Sequence, residues 1–258
     1  MRSIWNGSIG FGLVNIPVKL YSASQQNTIS LDMLDKKDHA KIKYKRVNEN
    51  TQEEVDWNDI IKGYKLDDEY IIITDEDFEK ANAKKSKIIE ITEFVNEKDI
   101  DSIYYDKPYF LEPEKNGAKA YALLREALKK SKKAGIATFV LRNKENLSII
   151  KPMGDGLILN KIRFQSEVRD IDQLNLPPKL DIKGKELDMA ISLIEQYTTD
   201  FDIAAYKDSY TEELMNLIEE KSKGKKTKVK KLEVAPTKAQ DLMSQLKASL
   251  EQSKRKAS

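Results

Sequence analysis

The chain has 258 residues, 40% of them hydrophobic and 34% charged, with no cysteine, a single histidine at His39 and a formal net charge of +2. Such a composition supports one sizeable domain with appendages or two small domains, and it excludes disulfides, thiolate metal sites, cysteine nucleophiles and any zinc site built on several imidazoles. No run approaches the roughly 18 to 20 apolar residues of a membrane span, and Asn6, Gly7, Gly10, Gly12 and Asn15 break up the N-terminal stretch where a signal-peptide core would lie. The expectation is therefore a cytoplasmic protein with no membrane partner, and no cofactor is expected. The small net charge conceals an asymmetry: residues 221–258 hold 12 Lys/Arg against 3 Asp/Glu, which leaves 33 against 40 upstream, a net of −7. Attraction to a polyanion must then come from local basic surfaces or from the tail, not from the average field of the body.

In chain order, residues 9–14 and 18–21 read as two strands punctuated by Pro17, rich in β-branched and aromatic residues. Residues 41–47 alternate polar and apolar and predict a third strand. Further strands are expected at 70–74 and 88–95, with a short helix at 77–83 between them. Residues 104–111 continue the extended theme. From Gly117 the period changes: Tyr121, Leu124 and Leu128 fall at helical spacing among alanines, which predicts an amphipathic helix stopped by Gly135. Three more strands follow at 136–141, 147–151 and 157–164, the last two joined by a Gly154-Asp155-Gly156 turn. Seven or more short strands around one inserted helix favour a closed or strongly curved barrel in a β-dominated α+β chain.

Pro177 and Pro178 mark the boundary of this first domain, 1–180. A helical region at 181–222 follows, with apolar stripes at Leu187, Ile191 and Ile194 and at Leu214, Leu217 and Ile218. Residues 223–258 form the last division: a Lys-rich linker, which the composition extends over 221–235, and a final amphipathic helix opened by Thr237 and Gln240 and striped by Leu242, Met243, Leu246 and Leu250.

Most chemistry-bearing patterns favour plain explanations. The glycines at 7, 10 and 12 fit neither the dinucleotide nor the P-loop spacing and suit strand bends. The carboxylates at 67–69 and 75–77 suit solvated turns and helix starts, and His39 beside Asp38 suits a loop. No catalytic residue and no metal site is expected. The basic cluster Lys36, Lys37, Lys41, Lys43, Lys45 and Arg46 is the exception. On a strand, Lys41, Lys43 and Lys45 would share one face at a spacing able to track a phosphate backbone without reading bases, although lysines on an edge strand also guard against aggregation. The Lys221–Lys231 run is either a solubilising linker or a non-specific DNA tether.

Several segments resemble the prokaryotic Ku family. The stretch from Ile4-Trp5-Asn6-Gly7 through Pro17-Val18-Lys19-Leu20-Tyr21 looks like the family's N-terminal signature. Ile61-Lys62-Gly63-Tyr64, Tyr109-Phe110-Leu111-Glu112-Pro113, residues 120–128, Phe164-Gln165-Ser166-Glu167-Val168-Arg169 and Asp241-Leu242-Met243 follow in family order. The resemblance implies a Ku-type β-barrel core of the kind shared with the eukaryotic Ku heterodimer, with an extended arm that closes over DNA when two copies pair into a ring. It makes Lys36 to Arg46 a bridge segment, Lys19 and Lys62 candidates for the inner surface, and Arg142 a further DNA-binding candidate. It implies a homodimer on double-stranded DNA ends, associated with the nucleoid when DNA is damaged. Its partner in non-homologous end joining would be a ligase D-type DNA ligase, met by Leu187, Ile191, Ile194, Leu214, Leu217 and Ile218. The basic tail would aid DNA retention or bridging. Many relatives carry a cysteine after the segment matching Lys45-Arg46; here Val47 stands there, which removes any metal or redox role from that loop. Two alternatives remain: a basic-tailed DNA-compacting protein, and a DNA-end lyase working through a lysine Schiff base, for which no lysine lies in an obviously apolar setting.

Overall fold

The computed structural model describes residues 1–81, 87–142, 144–179, 182, 184–225, 246, 247 and 249. Compact units run Met1–Gln173 and Leu174–Ser258. The first is built on a closed barrel of seven strands: β1 (Trp5–Phe11), β2 (Val14–Ser22), β5 (Ile88–Asn96), β6 (Tyr105–Pro113), β7 (Lys133–Leu141), β8 (Lys144–Met153) and β9 (Gly156–Ile162). Their order around the barrel is β1-β2-β6-β9-β8-β7-β5. Every neighbouring pair is antiparallel except β1 with β5, whose parallel register Ser8↔Ile88 to Gly10↔Glu90 closes the circle. Closure leaves the barrel without edge strands, which answers the aggregation hazard of so many short β segments.

Alternation along the strands fills the interior. Ile16, Val18 and Leu20 of β2, Tyr109 and Leu111 of β6, Ala137 and Phe139 of β7 and Leu157 and Leu159 of β9 meet in one buried cluster with Ile9, Ile89 and Ile150. Helix α2 (Ala118–Ser131), inserted between β6 and β7, lays Tyr121, Leu124 and Leu128 on this cluster across one end of the barrel. The Tyr121 hydroxyl donates to the Leu111 carbonyl at 2.6 Å and accepts from the Leu157 N–H at 2.6 Å, joining helix to sheet where β6 and β9 end. Burial pushes this phenol's pKa up, against the opposing effects of the Leu157 N–H and the Arg125 charge.

Two expectations are corrected in detail. Pro17 does not separate two strands; it lies within β2, and the turn falls at Gly12, whose φ is +58°. Ser8, opposite Pro17, gives its N–H to Lys87 outside this pair, and the Pro17 carbonyl accepts from Glu114 just past the end of β6. The nitrogen of Pro17 therefore faces the place where the β6 ladder gives out, and the missing donor costs no strand bond. Helix α2 is stopped not by Gly135 but by Lys132, whose left-handed φ of +54° returns its N–H to the Leu128 carbonyl. Gly135 sits in β7, where a Cβ would crowd Ile91 and Phe94 at 3.1–3.3 Å.

Between β2 and β5 runs an arm. It contains the hairpin of β3 (Lys62–Leu66) and β4 (Glu69–Ile73) and the short helix α1 (Asp75–Ala81), which Thr74 and Asp77 cap reciprocally. Residues 82 and 83 of the helix expected at 77–83 lie outside the described residues. The strand expected at 41–47 does not form. Leu34↔Lys41 and Val47↔Glu54 are isolated bridges, each closing a separate short loop, so neither segment finds a continuous partner for a ladder. The second unit contains α3 (Gly184–Tyr197) and α4 (Ser209–Ser222), the latter capped by Asp208 and carrying on two residues into the expected linker. The rest of that linker beyond 225 and the final helix lie outside the described residues, apart from 246, 247 and 249. No helix among the described residues is long and apolar enough to cross a membrane.

Candidate nucleic-acid interface

From 24 to 81 the arm holds no buried residue: its apolar side chains, the Tyr70-Ile71-Ile72-Ile73 run among them, lie on short loops and a two-stranded hairpin that build no second core. Several of its cations are held by their neighbours. Lys41 pairs with Asp32 at 2.8 Å and Lys45 with Glu54 at 2.5 Å, while the Arg46 guanidinium lies 4.5 Å over the Trp57 ring. The hydrogen bond that Lys45 donates to Glu54, with that carboxylate's charge, raises the pKa of Lys45. Lys62 stands 3.9 Å from Asp75 and 4.7 Å from the Phe78 ring centre. Lys36 and Lys37 occupy the turn held by Asp35, and His39 adopts a left-handed φ of +60° beside it. These exposed pairs are individually weak, so a phosphate can replace a carboxylate partner at little cost. Without the strand, the shared face expected for Lys41, Lys43 and Lys45 does not exist; the two loops distribute these lysines instead.

The remaining predicted cations sit on the barrel. Lys19 points outward from β2 between Asn6 and Glu112, since its neighbours Val18 and Leu20 point in. Arg142 caps the β7–β8 turn with φ +53°. It belongs to a group at the barrel end opposite α2 whose other members, Lys107, Lys161 and Arg163, sequence reasoning missed. There Lys161 follows Leu157 and Leu159 on the inward face of β9 and reaches Asp106 at 2.8 Å; Arg163 lies 3.7 Å from the same carboxylate and donates to the Ile103 carbonyl at 3.0 Å. Lys107 lies 5.9 Å from the centre of the Tyr109 ring. The Lys161 hydrogen bond, with the charges of Lys161, Arg163 and Lys107, holds the Asp106 carboxyl below the usual range. Burial raises the Tyr109 phenol, while Lys161 and Arg142 pull it back. Three cations thus act on the Asp106 carboxylate and Arg142 on the neighbouring Tyr109, a local excess of positive charge on a body whose average is acidic. The signal in the sequence was a lysine at an inward position of an apolar strand.

Among the described residues no group of three or more His, Asp or Glu is placed to hold a metal. Of the helical stripes, Leu187, Ile191 and Ile194 are exposed on α3, and on α4 Leu214 and Leu217 are half-buried and Ile218 exposed.

Residues 10–189 match the family described as the Ku70/Ku80 beta-barrel domain. The chain belongs to the Ku family. Among its relatives, the non-homologous end joining protein Ku of Coxiella burnetii is 40% identical over 97% of this chain and 94% of its own. That of Bacillus subtilis is 38% identical over 99% of this chain and 83% of its own, and that of Archaeoglobus fulgidus 39% over 97% and 99%. The closed barrel with its helical plug is therefore a Ku barrel, and the resemblance seen in the short N-terminal and mid-chain segments extends through the whole length.

Proposed function

We propose that this Ku protein is a scaffold for non-homologous end joining that encircles double-stranded DNA ends as a homodimer, without sequence specificity and without chemistry of its own. The observation that carries the reading is the arm. Over residues 24–81 it exposes Leu31, Tyr44, Trp57, Tyr64, Tyr70 and Ile72 together with the cations Lys36 to Arg46 and Lys62, and buries none of them. Apolar side chains left in water over so long a segment call for a covering surface, and a second copy supplies one of matching kind. Two arms joined in this way close a ring whose cations face phosphate. The Lys107, Arg142, Lys161 and Arg163 group adds a second phosphate contact on the barrel. Phosphate contact positions a duplex without reading its bases, which suits broken ends of any sequence.

The apolar stripes on α3 and α4 are the proposed contact for a ligase D-type enzyme, as anchors at helical spacing for a partner groove. The test compares binding to one duplex in linear and in covalently closed circular form across a salt series, with bulky caps added to the linear ends after loading. A ring gives strong preference for open ends and complexes trapped by the caps. Equal affinity for linear and circular DNA, lost when residues 226–258 are removed, would leave a basic-tailed DNA binder instead.

A further inference from the structure

Helix α2 has a second face that the barrel does not use. Leu124 and Leu128 are buried in the core, yet Leu123 is 69% exposed and Phe94 of β5 46% exposed. Together with Phe11 and Ala127 these residues line an apolar groove of about 560 Å³ between α2 and the β1–β5 seam. At the C-terminal end of α2 the groove continues past Leu128, Ser131 and Lys133 into a cleft of about 910 Å³ bordered by Lys98, Lys129 and Lys132. The carboxylates nearby are engaged elsewhere: Glu97 pairs with Lys151, and Asp99 accepts from Asn96 at 2.8 Å. Lys133 donates to Asn96 at 2.7 Å, whereas Lys98, Lys129 and Lys132 have no carboxylate within ion-pair reach among the described residues.

We propose that this groove and cleft form a docking site for an acidic amphipathic helix of a partner protein, distinct from the DNA surface. Apolar anchors at helical spacing would fill the groove over Leu123, Phe94 and Ala127, and carboxylates beyond them would meet the unpaired lysines. The charge asymmetry commits the occupant: a basic helix would meet like charge at one end. A nucleic acid would satisfy the lysines but leave the apolar groove unfilled. Phe11 and Phe94 pack edge to face, centroids 6.4 Å apart at 86°, and so offer no free flat platform for a base.

The test is a selection of displayed random 16-residue peptides on the full-length protein, with Leu123→Glu as counter-target. Enriched peptides are expected to carry apolar residues at three- and four-residue spacing with net negative charge. They should bind at least tenfold more weakly to Leu123→Glu and to Ala127→Glu, both exposed positions, and to Lys129→Glu/Lys132→Glu. Linear-duplex affinity should be unchanged in all three variants. No enrichment, enrichment of neutral or basic peptides, or equal binding to Leu123→Glu would overturn the proposal. A fall in duplex affinity in Lys129→Glu/Lys132→Glu would also overturn it, by assigning those lysines to the nucleic-acid surface. The selection contains no DNA, so its result stands apart from whether the protein loads on ends.

Discussion

The barrel and the arm are made from one chain by opposite rules. In the barrel, strand alternation sends Ile16, Val18, Leu20, Leu157 and Leu159 to a common interior, and closure pairs every strand on both sides. In the arm, residues of the same chemical kind, such as Tyr64, Tyr70, Ile71 and Ile72, stay in water on a two-stranded hairpin. A lone hairpin is marginally stable at best. The contrast teaches that apolar content alone does not make a core; register and closure do, and a segment denied both is left to be completed by something else.

The sharpest way to break the comparison is truncation on each side of it. Phe139→Ala, in the middle of the barrel, is expected to cost about 3–5 kcal/mol. Ile72→Ala in the arm should shift the stability of the single chain by no more than about 0.5 kcal/mol, while weakening self-association. Urea unfolding and sedimentation measure the two effects separately. If Ile72→Ala destabilised the chain as much as Phe139→Ala, the arm would possess a core of its own. Next in size is Tyr121→Phe, which removes the bridge between Leu111 and Leu157. A buried N–H and C=O left unpaired cost about 1–3 kcal/mol, read as a lower urea midpoint with unchanged slope.

Much of the barrel was legible because the β-rich runs at 88–95, 104–111 and 157–164 survive as strands with small shifts at their ends, and the helical spacing of Tyr121, Leu124 and Leu128 survives in α2, which ends at Ser131 ahead of the stop expected at Gly135. The arm was less legible. Residues 41–47 alternate as a strand would, but alternation cannot say whether a partner strand lies alongside, and here only single bridges do. The cations at the open end of the barrel were hidden for a related reason. Whether Asp106 and Lys161 meet depends on the shift in register between Tyr105 and Pro108, which no local pattern announces. Lys19, Lys62 and Arg142 were named through family likeness, and only Arg142 joins the barrel group.

Smaller effects sharpen the contrast in charge. Reversing Lys43 and Arg46 to Glu should weaken duplex binding and reduce the steepness of log K against log salt by about 0.9 for each phosphate that is no longer neutralised, with no change in unfolding. On the barrel, the Asp106 pKa is depressed in the folded state, so its pairing contributes stability above the unfolded carboxyl value of about 3.9 and loses it as pH falls through the lower folded value. Asp106→Asn should flatten that acid limb in urea midpoints taken between neutral pH and about pH 3; an unchanged limb would mean the Lys161 pair carries no stability.

Hydrogen exchange resolved along the chain tests most directly the claim that the barrel is complete and the arm awaits its partners. In dilute protein without DNA, amides of β1, β2 and β5 to β9 should be strongly protected while those of 24–81 exchange rapidly. Linear duplex with open ends should then protect the arm, and the same duplex closed into a circle should not. An arm as protected as the barrel before DNA is added, or protected equally by the circle, would contradict the account.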